Sequence, residues 1–218
     1  MEFDAIARFL QDVGNDDTDD AGFNEIGLAW VARRAHISVL NPATVREDLT
    51  MSTWCSGTGR RWAERRTSLV GESGGHVEAV AVWIHLDPAT GRPTVMGDEF
   101  ANNYLPAAGG RRIDSRLRLA KLPDDQQLAA SSSFPWQFRA TDTDAFGHVN
   151  NAAYLAIAEQ YLDLDGPCDL TIEWRSPCTA DDELTVTTSG DQLWIIDSAT
   201  DESRAVIAKS ALDEEHPS

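Results

Sequence analysis

Phe3, Ile6, Ala7, Leu10 and Val13 recur three or four residues apart, which draws one apolar stripe along a helix of about three turns. Gly14 and the run from Asn15 to Asp20 predict its end. Alternating segments rich in Val, Ile, Thr and Trp follow at about 29–39, 48–56, 60–70 and 76–86, and each predicts a strand. LDPATGRP then reads as a turn. From Gly97 to Ser133 the pattern dissolves into turn residues, a basic run and a polar run, which reads as a linker. Alternation resumes at Phe134, Trp136 and Phe138, as on a half-buried strand, and the loop TDTDAFGH comes next. Ala153, Tyr154, Ile157, Ala158 and Tyr161 return to helical spacing, with Asn150 or Asn151 placed to cap the helix. Strands are expected at about 169–175, 183–189, 192–197 and 204–210, before a frayed acidic tail, DEEHPS.

The two halves share a repeat. PATVREDLTMST, from Pro42, lies without a gap against PCTADDELTVTT, from Pro177, and five of the twelve positions are identical. Upstream, the alternation of Ile37 and Val39 matches that of Ile172 and Trp174. Each half therefore reads as a helix followed by an antiparallel sheet, an α+β arrangement that buries the helix stripe on one sheet face. The expected domains are residues 1–97 and 134–218, joined by a linker over 98–133. Only the second copy carries a strand and the DTDAFGH loop ahead of its helix.

Composition narrows the partners. A formal charge of −18 excludes nucleic acid, whose phosphates need a basic surface. No stretch approaches the roughly 20 apolar residues of a membrane span, and MEFDAIARF has no basic or apolar leader pattern, so a cytoplasmic protein is expected. Cys55, Cys168 and Cys178 have neither metal-ligand nor disulfide-framework spacing, so no metal is expected. Against the acidic background, Arg111, Arg112, Arg116, Arg118 and Lys121 stand together with Asp114 as the one acid among them. That run can dock an anionic carrier, or it can simply neutralise the chain's own acidic surface. Arg60, Arg61, Arg65 and Arg66 are expected to pair with acidic neighbours, and the seven tryptophans to pack mostly within strands.

The DTDAFGHVNN loop concentrates candidate chemistry. Asp144 lies four residues before His148, and both precede the second helix, where backbone N–H groups at Val149, Asn150 and Asn151 can face a carbonyl oxygen. A carboxylate, a histidine and such donors are the set that acyl transfer to water requires. The plainer alternative is that DTD and NN only make Asx turns and a helix cap.

Two stretches carry a family resemblance: WVARRAHISVLNPATVREDLTMSTWCSGTGRRWAERRTSLV with AVAVWIHLDPATGRP, and RATDTDAFGHVNNAAYL with LTIEWRSPCTADDEL. They resemble the double-hotdog acyl-ACP thioesterases of plants and bacteria, although the DxDxxGHVNNxxY pattern is also similar to single-hotdog acyl-CoA thioesterases. The resemblance implies a tandem double hotdog, each half an antiparallel sheet wrapped around a central helix. It implies hydrolysis of acyl-ACP in fatty acid biosynthesis, without a cofactor, with acyl carrier protein or coenzyme A as the substrate's carrier. Monomer and homodimer both fit. By the same resemblance Asp144 is the base or nucleophile, His148 orients the water or shares its proton, and Asp142 structures the loop.

Two positions depart from the plant pattern: Phe146 replaces an asparagine, and Pro177 replaces a glutamate. Neither side chain can bind or activate water. Cys178 matches a cysteine once proposed as a nucleophile in that family, and with Phe146 and Tyr154 it is a candidate pocket residue. Glu173, on the strand face opposite Ile172 and Trp174, is expected to be solvated. The remaining alternatives are an acyl-CoA thioesterase, a non-catalytic acyl-binding hotdog protein and, least favoured because its chemistry resembles a different histidine motif, a hotdog dehydratase.

Overall fold

The computed structural model describes residues 2–22, 29–144 and 146–212, so the DEEHPS tail lies outside the described residues. Helix α1 (Phe3–Asp20) precedes strands β1 (Ala29–Asn41), β2 (Leu49–Thr58), β3 (Trp62–Gly71) and β4 (His76–Leu86). Helices α2 (Asp98–Ala108) and α3 (Asp125–Ala129) follow, then β5 (Ser132–Trp136), a 3-10 turn at Ala140–Asp142 and α4 (Ala153–Tyr161). Strands β6 (Cys168–Trp174), β7 (Leu184–Ser189), β8 (Gln192–Asp197) and β9 (Ser203–Ser210) complete the chain. The contacts divide it into two compact units, one of residues 8–117 and one of residues 2–7 with 118–218.

In the first unit the strands run antiparallel in the order β2-β3-β4-β1. Ala35, Ile37 and Val39 of β1 put their apolar side chains on one face, which is buried, and Ser38 between them is buried as well. Helix α2 packs Phe100 and Tyr104 with Cys55 and Ala63, and the Phe100 ring sits 5.3 Å from Trp30 and 4.9 Å from Tyr104. The unpatterned stretch after Gly97 thus contains two helices rather than plain linker, and α2 contributes core to this unit. Its end is set by Gly109, at φ +56°, whose N–H donates to the Pro106 carbonyl. Gly14 does not end α1, contrary to the sequence pattern. Glycine costs a helix about 1 kcal/mol, and the residues beyond it find distant partners: Asp17 pairs with Arg65 at 2.7 Å and accepts from the Tyr104 hydroxyl at 2.8 Å.

The second unit runs β6-β9-β8-β7-β5, again antiparallel. Helix α4 buries Ala153, Tyr154, Leu155, Ile157 and Ala158. Phe3 and Ile6, grouped with this unit, are buried too, and the Phe3 N–H donates to the Glu159 carboxylate. Strand β6 is covered on both faces, and this corrects the expectation for Glu173. Its side chain is 1% exposed, and its carboxylate accepts from the backbone N–H groups of Arg118 at 2.5 Å and Leu119 at 3.1 Å, with Arg175 at 3.4 Å.

The internal repeat is structural. The order β7-β8-β9-β6 in one unit reproduces β2-β3-β4-β1 in the other. The turn before β2 is held by Thr44, whose N–H and hydroxyl both donate to Glu47. Thr179 and Asp182 repeat those two bonds before β7. All seven tryptophans lie in strands, but only Trp194 is fully buried, with its indole N–H donating to the Ala120 carbonyl at 3.1 Å.

Candidate active site

After β5 the chain turns through Ala140–Asp142, where the Asp142 carboxylate accepts the Arg139 N–H at 2.8 Å. Asp142 structures the loop in this way, as its place in the motif suggested. Thr143 then bridges Val149, and the Asp144 N–H donates to the His148 carbonyl at 2.7 Å, closing a tight loop. Gly147, at φ +78°, permits the reversal, a conformation in which an L side chain is strained. Within the loop one carboxylate oxygen of Asp144 accepts the N–H groups of Phe146 at 2.8 Å and His148 at 3.1 Å. The other oxygen has no partner among the described residues. Asp144 and His148 are both exposed, so water reaches them.

The structure brings Asp144 and His148 to the neck of one loop, but it does not present all three expected donors. The Val149 N–H is taken by the Cys178 carbonyl and the Asn150 N–H by the Asp142 carbonyl, each at 2.8 Å. Only the Asn151 N–H stays without an acceptor among the described residues. Asn150 serves the helix entry by accepting the Ala152 N–H at 2.9 Å, while the N-cap position itself falls on Ala152, which makes no side-chain cap.

The expected pocket residues separate. Phe146 is 86% exposed and walls nothing, because the tight turn from Asp144 to Gly147 pushes it outward at the loop tip. Tyr154 and Cys178 are both buried. Burial pushes the Cys178 thiol above its ordinary range, as it does the Tyr154 phenol, so at neutral pH the sulfur keeps its proton and is a poor nucleophile. Tyr154 stacks at a tilt on Phe138, 5.0 Å between centroids. A cleft elsewhere in this unit is lined by Pro135, Trp136, Gln137, Glu183, Leu184 and Ser198, none of them a motif residue.

The basic run is exposed at Arg111, Arg112, Arg116, Arg118 and Lys121. Arg111 is engaged by Glu64 and donates to the Ser56 carbonyl at 2.9 Å. Arg34 fastens the backbone of the run by donating to the carbonyls of Asp114 at 3.1 Å and Arg116 at 2.5 Å. Motif reading missed one group in the second unit, the Arg204–Asp197 ion pair at 2.5 Å. One aspartate at the end of β8 and one arginine on β9 give no sequence signal, because the sheet brings them together. No group of three or more His, Cys, Asp or Glu residues that could hold a metal occurs among the described residues, and no described helix is long and apolar enough to cross a membrane.

A duplicated helix-and-sheet fold with this loop at the entry of α4 is a double-hotdog arrangement. Residues 1–104 match the model of the acyl-ACP thioesterase N-terminal domain, and residues 125–214 match that of the acyl-ACP thioesterase C-terminal domain. The chain belongs to the acyl-ACP thioesterase family. An uncharacterized protein of Mycobacterium tuberculosis is 30% identical over 190 residues, covering 85% of this chain and 74% of that protein. The chloroplastic oleoyl-acyl carrier protein thioesterase 1 of Arabidopsis thaliana is 27% identical over 215 residues, 85% of this chain and 59% of that protein. Among solved structures, the 12:0-ACP thioesterase from Umbellularia californica shares the fold with a TM-score of 0.73 at 18% identity, covering 96% of this chain and 89% of that one. An acyl-ACP thioesterase from Bacteroides thetaiotaomicron shares it with a TM-score of 0.74 at 16% identity, over 96% and 90%.

Proposed function

We propose that the chain releases fatty acid from acyl-ACP, with Asp144 as general base and His148 orienting the attacking water. The observation that carries this reading is the state of Asp144: one carboxylate oxygen of this exposed side chain is fixed by two backbone N–H groups, while the second has no partner among the described residues. Fixation sets direction, and the second oxygen is the one that can take a proton. Water attacks the thioester carbonyl carbon as its proton passes to Asp144, the carbonyl oxygen becomes an oxyanion, and collapse expels the thiolate, which takes up the proton. The Asn151 N–H is the donor proposed for the oxyanion. One such donor is typically worth about 3–4 kcal/mol.

Docking of the acidic carrier falls to the exposed Arg112 and Arg116, with Arg111 contributing less because Glu64 already holds it. A second reading, acyl binding without turnover, is favoured by Phe146 and Pro177, which leave the loop without two polar groups found in plant relatives. The test is thiol release from palmitoyl-ACP and palmitoyl-CoA in parallel. Faster release from the ACP substrate supports the proposal, and faster release from coenzyme A supports an acyl-CoA thioesterase. Tight acyl binding with no thiol released from either would replace both with the binding protein.

A further inference from the structure

We infer that Arg204 is a positioning residue for the catalytic loop, acting through the connection between β6 and β7. The inference rests on the loop reading above. Arg204 on β9 is four-fifths buried, and its guanidinium reaches in two directions. One nitrogen donates to Asp197 at 2.5 Å, and Asp197 is itself fixed because its other oxygen accepts the N–H groups of Ala199 and Thr200, each at 2.9 Å. The second terminal nitrogen donates to the Ser176 hydroxyl at 3.2 Å and to the Pro177 carbonyl at 3.4 Å. The Arg204 carbonyl also accepts the N–H groups of Arg175 at 2.9 Å and Ser176 at 3.4 Å.

The segment held in this way runs directly into Cys178. The Cys178 carbonyl accepts the Val149 N–H at 2.8 Å, and Val149 is the residue after His148. A continuous chain of bonds therefore leads from Asp197 through Arg204 and residues 176–178 to the closing end of the loop that carries Asp144 and His148. Pro177 suits the clamp: it has no N–H to satisfy, and its fixed φ limits what the segment can do when the guanidinium is removed. A planar guanidinium serves three acceptors at fixed angles, which a lysine ammonium cannot reproduce.

The test compares Arg204→Met, Arg204→Lys and Asp197→Asn with the wild type in two readouts, steady-state hydrolysis of palmitoyl-ACP and amide hydrogen exchange resolved at Val149. Loss of the clamp is expected to lower kcat about 10–100-fold with KM within about twofold, the cost of misplacing reacting groups by about an ångström. Val149 exchange should rise while the amides of β8 and β9 stay protected. Arg204→Lys should restore less than a tenth of the lost activity, and free guanidinium at millimolar concentration should partly rescue Arg204→Met. Unchanged Val149 exchange in a folded Arg204→Met protein overturns the inference. So does a loss of protection across the whole unit, which would make Arg204 a general stability residue. If the wild type proves inactive while Val149 loosens selectively, the clamp stands and the hydrolase mechanism fails.

Discussion

Replacing Asp144 by asparagine separates the chemical role of this residue from its structural one. The carboxylate oxygen that accepts the Phe146 and His148 N–H groups at 2.8 and 3.1 Å can be replaced by an amide oxygen in the same place. The loop should keep its shape. Both bonds change from charge-assisted to neutral, and at an exposed site water compensates in part, so the stability cost should stay under about 1 kcal/mol. In a chain of this size that is a shift of about 2–4 °C in Tm at most. The second oxygen becomes an NH2 group, which cannot take a proton. Loss of a general base is worth about 100- to 10,000-fold, or about 3–5 kcal/mol in the barrier. Asp144→Ala removes both loop bonds as well and should cost about 1–2 kcal/mol more in stability than asparagine does. The assay is thiol release under saturating palmitoyl-ACP, alongside thermal melts of all three proteins. An asparagine variant that keeps more than a tenth of wild-type kcat would refute the general-base assignment. Equal melting temperatures for the alanine and asparagine variants would refute the structural half of the argument.

Cys178→Ala should retain kcat within about threefold, and iodoacetamide at pH 7.5 should leave the native enzyme active, because burial holds the thiol protonated; rapid inactivation tracking Cys178 labelling would reverse this. Glu173→Ala takes the acceptor from the N–H groups of Arg118 and Leu119, and should cost about 1–3 kcal/mol in urea unfolding. A cost below about 1 kcal/mol would mean those donors find other acceptors. Arg204 and the N–H groups of Ala199 and Thr200 hold Asp197 down at about 2, from an ordinary 3.8. A depressed carboxylate stabilises the fold above its unfolded value and loses that contribution as pH falls through the folded one. The stability gap between wild type and Asp197→Asn should therefore be flat from pH 8 to about 5 and close between about 4 and 2. A gap that closes near pH 6 would place the effect on another group.

The strands were legible because their alternation has a local physical cause, the pleat: Ile37 and Val39 in one half and Ile172 in the other each face a core. The same logic failed one residue later, at Glu173, because β6 is covered on both faces and the cover comes from residues 118–120, far away in sequence. Helix α2 was hidden because Phe100 and Tyr104 are its only large buried residues, set among Asn, Pro, Ala and Gly that carry no helical pattern. The site was half legible. The resemblance of DTDAFGHVNN pointed to Asp144 and His148 as candidates, yet the fate of the Val149 and Asn150 N–H groups depends on carbonyls of Cys178 and Asp142 that only the folded chain brings into reach. For the same reason the Arg204 clamp has no motif.

The duplicated architecture, with its loop present once, has a consequence for how the chain tolerates change. In the first unit the residues that resist substitution should be those that fill space, such as Ile37, Leu69 and Val82, and sensitivity there should follow depth of burial. In the second unit the same relation should be broken at Asp144 and His148, which are exposed and would be neutral if packing were all that mattered. A saturation library would then yield two maps on one scaffold: one copy kept as a support and freed to drift at its surface, the other constrained at a few exposed positions.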